Sequence, residues 1–228
     1  MALTVGFDLD MTLIDARPGM VSCMAALAQE TGFDLDGEYF AANLGPPLAH
    51  MLADSGVPEA RIEELVARFR ELYPPIVIPG TVALPGADAA LRAVHELGGR
   101  ILVVTGKYQP NAALHIDALR WEVDLVVGEL WAADKGEALR ANDAAIFVGD
   151  HTGDMLGARA AGAYPVGVTT GPCGADQLRA AGAELVLSDL TEFAGWLGDS
   201  VSRFAAPREQ DRSARARNPT APARPRTR

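Results

Sequence analysis

Cysteine is nearly missing from this chain: among 228 residues only Cys23 and Cys173 carry a thiol, and no CxxC pair occurs. That excludes a disulfide framework and a cysteine-built zinc site, and leaves both thiols to be read as small buried apolar residues. Aromatic residues are also scarce, at 6%. No stretch approaches the roughly 18 consecutive apolar residues that a membrane span needs. Asp8 and Asp10 interrupt the opening stretch where a signal peptide would carry its apolar segment. The expectation is a cytoplasmic protein without a membrane partner.

Positive charge is in deficit over most of the chain. The net charge is −10, yet from Arg203 onward eight Arg face only Glu209 and Asp211, so residues 1–202 carry −16. An acidic body argues against a nucleic-acid-binding surface on the folded part. What is present is a chain 49% hydrophobic and 22% charged, enough for one sizeable core and a small extra domain. Residues 202–228, rich in Arg, Ala and Pro and without apolar periodicity, are predicted to form a disordered tail, because such a segment cannot bury enough surface to offset its ordering entropy. The alternative is a basic arm that touches nucleic acid, lipid headgroups or an acidic partner.

Short apolar runs recur between helix-like stretches: Leu3 to Phe7, Ile101 to Val104, Val123 to Val127, Ala145 to Val148, Tyr164 to Val168 and Glu184 to Leu187. Runs apolar on both faces and separated by helical patterns indicate a parallel sheet covered on both sides, hence an α/β fold. The gap between the first two runs far exceeds one crossover helix. Met20, Cys23, Met24 and Leu27, then Ile62, Leu65, Val66, Phe69 and Leu72, recur there at helical spacing. An inserted helical domain is therefore predicted over 16–79, with hinges at Arg17-Pro18 and Pro79-Gly80. Residues 1–15 and 80–201 are left to form the α/β core.

In open parallel sheets, ligands bind beyond the carboxyl ends of the strands. Here those ends read Asp8-Leu9-Asp10-Met11-Thr12, Thr105-Gly106-Lys107 and Gly149-Asp150-His151-Thr152-Gly153-Asp154. Four carboxylates in one crevice repel each other unless a cation compensates. Mg²⁺ is the natural candidate, being a hard cation held by one or two carboxylates, waters and a phosphate. Lys135 would add positive charge. Carboxylates, a hydroxyl, a lysine and a metal make a phosphoryl-transfer site plausible on chemical grounds.

In order and spacing these segments, with Thr105 and Lys135, resemble the four motifs of the haloacid dehalogenase-like hydrolase superfamily. The insert looks like the helical cap of its phosphoglycolate-phosphatase-like branch, and the likeness covers about residues 3–198. The resemblance implies a Rossmann-like core and a Mg²⁺-dependent phosphatase for a small phosphorylated metabolite, phosphoglycolate being the family's suggestion. It implies Asp8 as nucleophile and Asp10 as general acid and base. Thr105 would bond a phosphate oxygen, and Lys135 would neutralise the phosphate and position Asp8. Mg²⁺ would be held by the Asp8 carboxylate, the Asp10 carbonyl, Asp150 and Asp154. Thr12, Gly106 and backbone N–H groups of residues 9–12 would contact the phosphate. Gly45, in Asn43-Leu44-Gly45-Pro46-Pro47, stands either in a loop facing the site or in a plain helix-helix turn, and Arg17 is a candidate for meeting an anionic group.

Three departures stand out. Met11 replaces the frequent Gly and would narrow the site; Gly106 replaces the common Asn; His151 adds an imidazole beside Asp150. A phosphomutase, a dehalogenase and a noncatalytic binding protein remain as alternatives.

Overall fold

A computed structural model describes residues 3–204. Its core is a six-stranded, all-parallel sheet in the order β5-β4-β1-β6-β7-β8. The strands are β1 (Thr4–Phe7), β4 (Arg100–Val104), β5 (Leu125–Val127), β6 (Ile146–Gly149), β7 (Tyr164–Val168) and β8 (Leu185–Leu187). Each falls within or beside a predicted apolar run. All four residues of β1 and all four of β6 are buried, as expected for strands covered on both faces. Between them the chain leaves β1, passes through β4 and β5 on one side, and returns to β6 on the other. The carboxyl end of β1 is therefore the point where strand order reverses, and it opens a crevice.

Helices α5 (Ala87–Glu96), α6 (Gln109–Leu119), α7 (Lys135–Ala141), α8 (Thr152–Ala161), α9 (Ala175–Ala181) and α10 (Phe193–Phe204) connect and cover these strands. Helix α10 extends past Ser202, where the tail was expected to begin. Phe204 explains this, since its ring packs edge-on to Tyr164 at 5.4 Å and meets Trp196 at 6.1 Å. Residues 205–228, the rest of the expected tail, lie outside the described residues.

The predicted insert contains α1 (Arg17–Thr31), α2 (Gly37–Ala42), α3 (Leu48–Asp54) and α4 (Glu59–Val77). Pro18 starts α1 where its missing N–H costs nothing, and Gly32 ends it in the left-handed conformation. The buried stripe Met20, Cys23, Met24 and Leu27 packs with Leu65, Phe69, Tyr73 and Val77 of α4. Each such burial is worth about 1.5–3 kcal/mol. One feature of the insert's base was not predicted: β2 (Ile14–Asp15) pairs antiparallel with β3 (Val82–Ala83), so the outgoing and returning chains are stitched together beside the expected hinges.

Candidate active site

The chain leaves β1 at Asp8 and folds at once into a tight turn. The N–H groups of Thr12, Leu13 and Ile14 all point at the Leu9 carbonyl, at 3.4, 2.9 and 3.0 Å, and Met11 N–H donates to Ile14 O at 2.8 Å. The turn therefore engages two of the four backbone donors expected to meet phosphate, those of Met11 and Thr12. It also requires φ +60° at Met11, a left-handed conformation that explains why glycine is frequent there. Met11 is buried, and its carbonyl accepts a hydrogen bond from the Thr170 hydroxyl.

Asp8 and Asp10 leave this turn towards different partners. Lys135, at the start of α7, donates from Nζ to Asp8 Oδ1 at 2.7 Å and to Asp154 Oδ1 at 2.6 Å. Asp154 is fixed in turn, its Oδ2 accepting from His151 N–H at 3.0 Å in the N-terminal cap of α8. Asp150, at the end of β6, accepts from the Thr12 hydroxyl at 2.9 Å. Gly171 lies so close behind that a Cβ there would stand 1.7 Å from Asp150 Oδ2. The carboxylates of Asp8, Asp150 and Asp154 each place an oxygen within 4.8 Å of the others, and all three residues are buried.

This crowding shows in the titration behaviour. Burial pushes the Asp8 carboxyl up, against the pull of Lys135. Asp150 is raised well above the carboxylate range, first by burial and then by the charges of Asp154 and Asp8. Burial works against the charge of Lys135, yet Asp154 and Asp8 hold its pKa above the ordinary value. Counting Asp10 and Lys107, four carboxylates face two ammonium groups, a surplus of two negative charges. All-oxygen donors with that surplus fit a hard divalent cation such as Mg²⁺.

Lys107, on the loop after β4, is a further charged residue of the site. Its Nζ lies 3.0 Å from Asp10 Oδ2, with both side chains at least nine-tenths buried, and it donates to the Tyr73 hydroxyl of α4 at 2.5 Å. Tyr73 O–H meets His115 Nε2 at 2.8 Å, and His115 Nδ1 meets the Thr81 hydroxyl at 2.9 Å. One chain of polar contacts thus runs from Asp10 through Tyr73 and His115 of α6 to Thr81, just before β3. Asp10 Oδ1 is left buried without a hydrogen-bond partner. Burial raises the Asp10 carboxyl despite Lys107. Lys107 stands three residues beyond Val104, the end of β4, which places it at the same sheet edge without showing which partner it meets.

The other expected site residues divide. Thr105 is buried at the end of β4, its Oγ accepting from Lys107 N–H at 3.3 Å. Gly106 and Gly45 approach each other closely: a Cβ on Gly106 would lie 2.5 Å from the Gly45 carbonyl. Asparagine is excluded from that conformation by the insert's own backbone, which accounts for Gly106. Both glycines line a cavity of about 320 Å³ beside Asp10. Arg17 does not come to the site. It forms a two-point pair with Asp15, at 2.9 and 2.7 Å, and its side chain is 47% exposed. His151 caps α8 by accepting from Gly153 N–H at 3.0 Å and packs against Trp131 at 4.9 Å.

The family described as haloacid dehalogenase-like hydrolases matches residues 5–168. A protein named probable phosphatase IndB from Dickeya dadantii is 29% identical over 210 residues, covering 83% of this chain and 90% of its own length. A phosphoglycolate phosphatase from Rhodospirillum rubrum is 29% identical over 226 residues, covering 87% of this chain and 92% of its own. Among solved structures, a haloacid dehalogenase-like family hydrolase from Streptococcus pneumoniae superposes with TM-score 0.75 at 22% identity, covering 86% of this chain and 98% of that one. That likeness concerns the fold.

Proposed function

Since the chain belongs to the haloacid dehalogenase-like hydrolase family, we propose that it is a Mg²⁺-dependent phosphatase that hydrolyses small phosphate monoesters through a phosphorylated Asp8. One observation carries the reading. Two carboxylates two residues apart are held for different tasks, Asp8 by Lys135 beside the acidic cluster and Asp10 by Lys107 with Oδ1 unpartnered.

Asp8, Asp150 and Asp154, with the Asp10 carbonyl, are the groups to hold the ion. When bound, it supplies charge neutralisation to phosphoryl oxygens. An Asp8 carboxylate oxygen attacks phosphorus in line with the ester bond. As the P–O bond to the alcohol breaks, Asp10 gives its proton to the leaving oxygen. The raised pKa of Asp10 suits a group that must hold that proton first. In the second half, Asp10 takes a proton from water; the water oxygen bonds to phosphorus, the P–O bond to Asp8 breaks, and phosphate leaves. Lys135 offsets charge on Asp8 throughout, Thr105 donates to a phosphate oxygen, and Thr12 orients Asp150. The helices of residues 16–79 act as a cap that excludes water during the first transfer.

The test is phosphate release from p-nitrophenyl phosphate and a metabolite panel, with phosphoglycolate as the reference named by relatives. Turnover that requires Mg²⁺ and is lost in Asp8→Asn is expected. Metal-independent turnover, or full activity in Asp8→Asn, would refute the proposal.

A further inference from the structure

The cavity beside Asp10 has a character of its own. Its walls are mainly apolar and come largely from the insert, with Leu44, Pro47, Leu48, Met51, Val66 and Phe69 among them. Two cationic side chains reach it, Lys107 and Arg70, and both are already engaged. Lys107 is committed to Asp10 and the Tyr73 hydroxyl. Arg70 pairs with Glu129 at 2.6 Å, and its guanidinium carbon lies over the Tyr108 ring, 3.8 Å from the centroid. A ligand carboxylate placed here would face the charges of Asp10 and Glu129 without an uncommitted cation among the lining residues. Bringing an unpaired charge against apolar walls costs several kcal/mol.

One buried polar group points to a ligand of another kind. Asn111, in the first turn of α6, is 3% exposed, lines the cavity, and makes no side-chain hydrogen bond among the described residues. Its amide offers a neutral donor and acceptor. At about 320 Å³ the space lies within the range of small-molecule pockets, larger than the two carbons of glycolate require.

Resting on the phosphatase reading above, we infer that the leaving group this site accepts is an uncharged alcohol with an apolar or aromatic body, and that phosphoglycolate is a poor substrate. Specificity then comes from the pairing of Arg70 with Glu129. That pairing withholds the one cation near the cavity mouth that a substrate carboxylate could use.

The experiment compares kcat/KM for benzyl phosphate and phosphoglycolate in the full chain with Mg²⁺. Acetyl phosphate serves as a small activated donor that reports the chemistry without filling the cavity. The wild-type protein should prefer benzyl phosphate by at least about tenfold, the scale on which apolar pockets discriminate. Glu129→Gln, at an exposed position, frees Arg70; Ala49→Arg places a cation on a half-buried stretch of wall. Each should narrow the ratio several-fold by raising kcat/KM for phosphoglycolate. Mg²⁺-dependent hydrolysis of acetyl phosphate with equal or better use of phosphoglycolate would overturn this inference and leave the phosphatase reading standing. No hydrolysis of any of the three would overturn both.

Discussion

Lys107→Met tests the least anticipated part of the site. The substitution keeps most of the side chain's length and removes its charged end, leaving Asp10 buried with neither oxygen paired. At 3.0 Å and an effective dielectric of about 20, the lost attraction is about 5.5 kcal/mol. Desolvation already offsets much of that in the intact pair, but removing one partner does not return the penalty on the other. The expected loss of stability is therefore about 3–5 kcal/mol. For a chain of this size that is a drop of roughly 6–20 °C in thermal midpoint. Urea or thermal unfolding in EDTA reads the effect without metal linkage. Asp10→Asn combined with Lys107→Met should recover most of the loss, because no buried charge then remains. A Lys107→Met protein within about 0.5 kcal/mol of wild type, the range of an ordinary surface substitution, would show that the pair does not exist in solution and refute the reasoning.

Three further outcomes follow from the same contacts. His115 is held neutral, since burial and then Lys107 push its pKa down to about 3. Between there and its unfolded value near 6.5 the unfolded chain binds the extra proton, so acidification should cost up to about 1.4 kcal/mol per pH unit. A His115→Gln protein should lose that part of the pH dependence in unfolding titrations. Asp150→Asn should raise the thermal midpoint in EDTA by relieving its crowding with Asp154 and Asp8, yet abolish stabilisation by Mg²⁺. In wild type that stabilisation should reach about 2.7 kcal/mol at a hundred times Kd; a wild-type midpoint indifferent to Mg²⁺ would count against the metal site. Phe204→Ala should cost about 1–2 kcal/mol by losing its packing on Tyr164 and Trp196, since the ring is half-buried, and an unchanged midpoint would mean that α10 ends earlier.

The sheet was legible because its central strands are buried on both faces, which leaves unbroken apolar runs such as Ile101 to Val104. The ribbon of Ile14–Asp15 with Val82–Ala83 was not, since two residues are too few to show a period. Asp8, Asp150, Asp154 and Lys135 converge as the strand ends implied. Arg17 was misjudged because Asp15, two residues away, satisfies it locally. Lys107 and Tyr73 escaped because their meeting depends on how α4 lies over the loop after β4, a tertiary fact with no local signature. Gly106 stands where Asn is common, and the reason is equally tertiary, since the Gly45 carbonyl leaves no room for a side chain there.

The central position of β1 has a consequence for synthesis. Of the six strands of this sheet, the first to be synthesised is one flanked on both sides, pairing Thr4 with Arg100 on one edge and Val5 with Ile146 on the other. At about 5–20 residues per second, its second neighbour emerges roughly 7–30 s after it. During that interval a largely apolar strand has an open edge, followed directly by Asp8 and Asp10, whose charges disfavour pairing with another apolar segment. Replacing both Asp8 and Asp10 with neutral side chains should therefore lower the soluble yield beyond any change in the finished protein's stability.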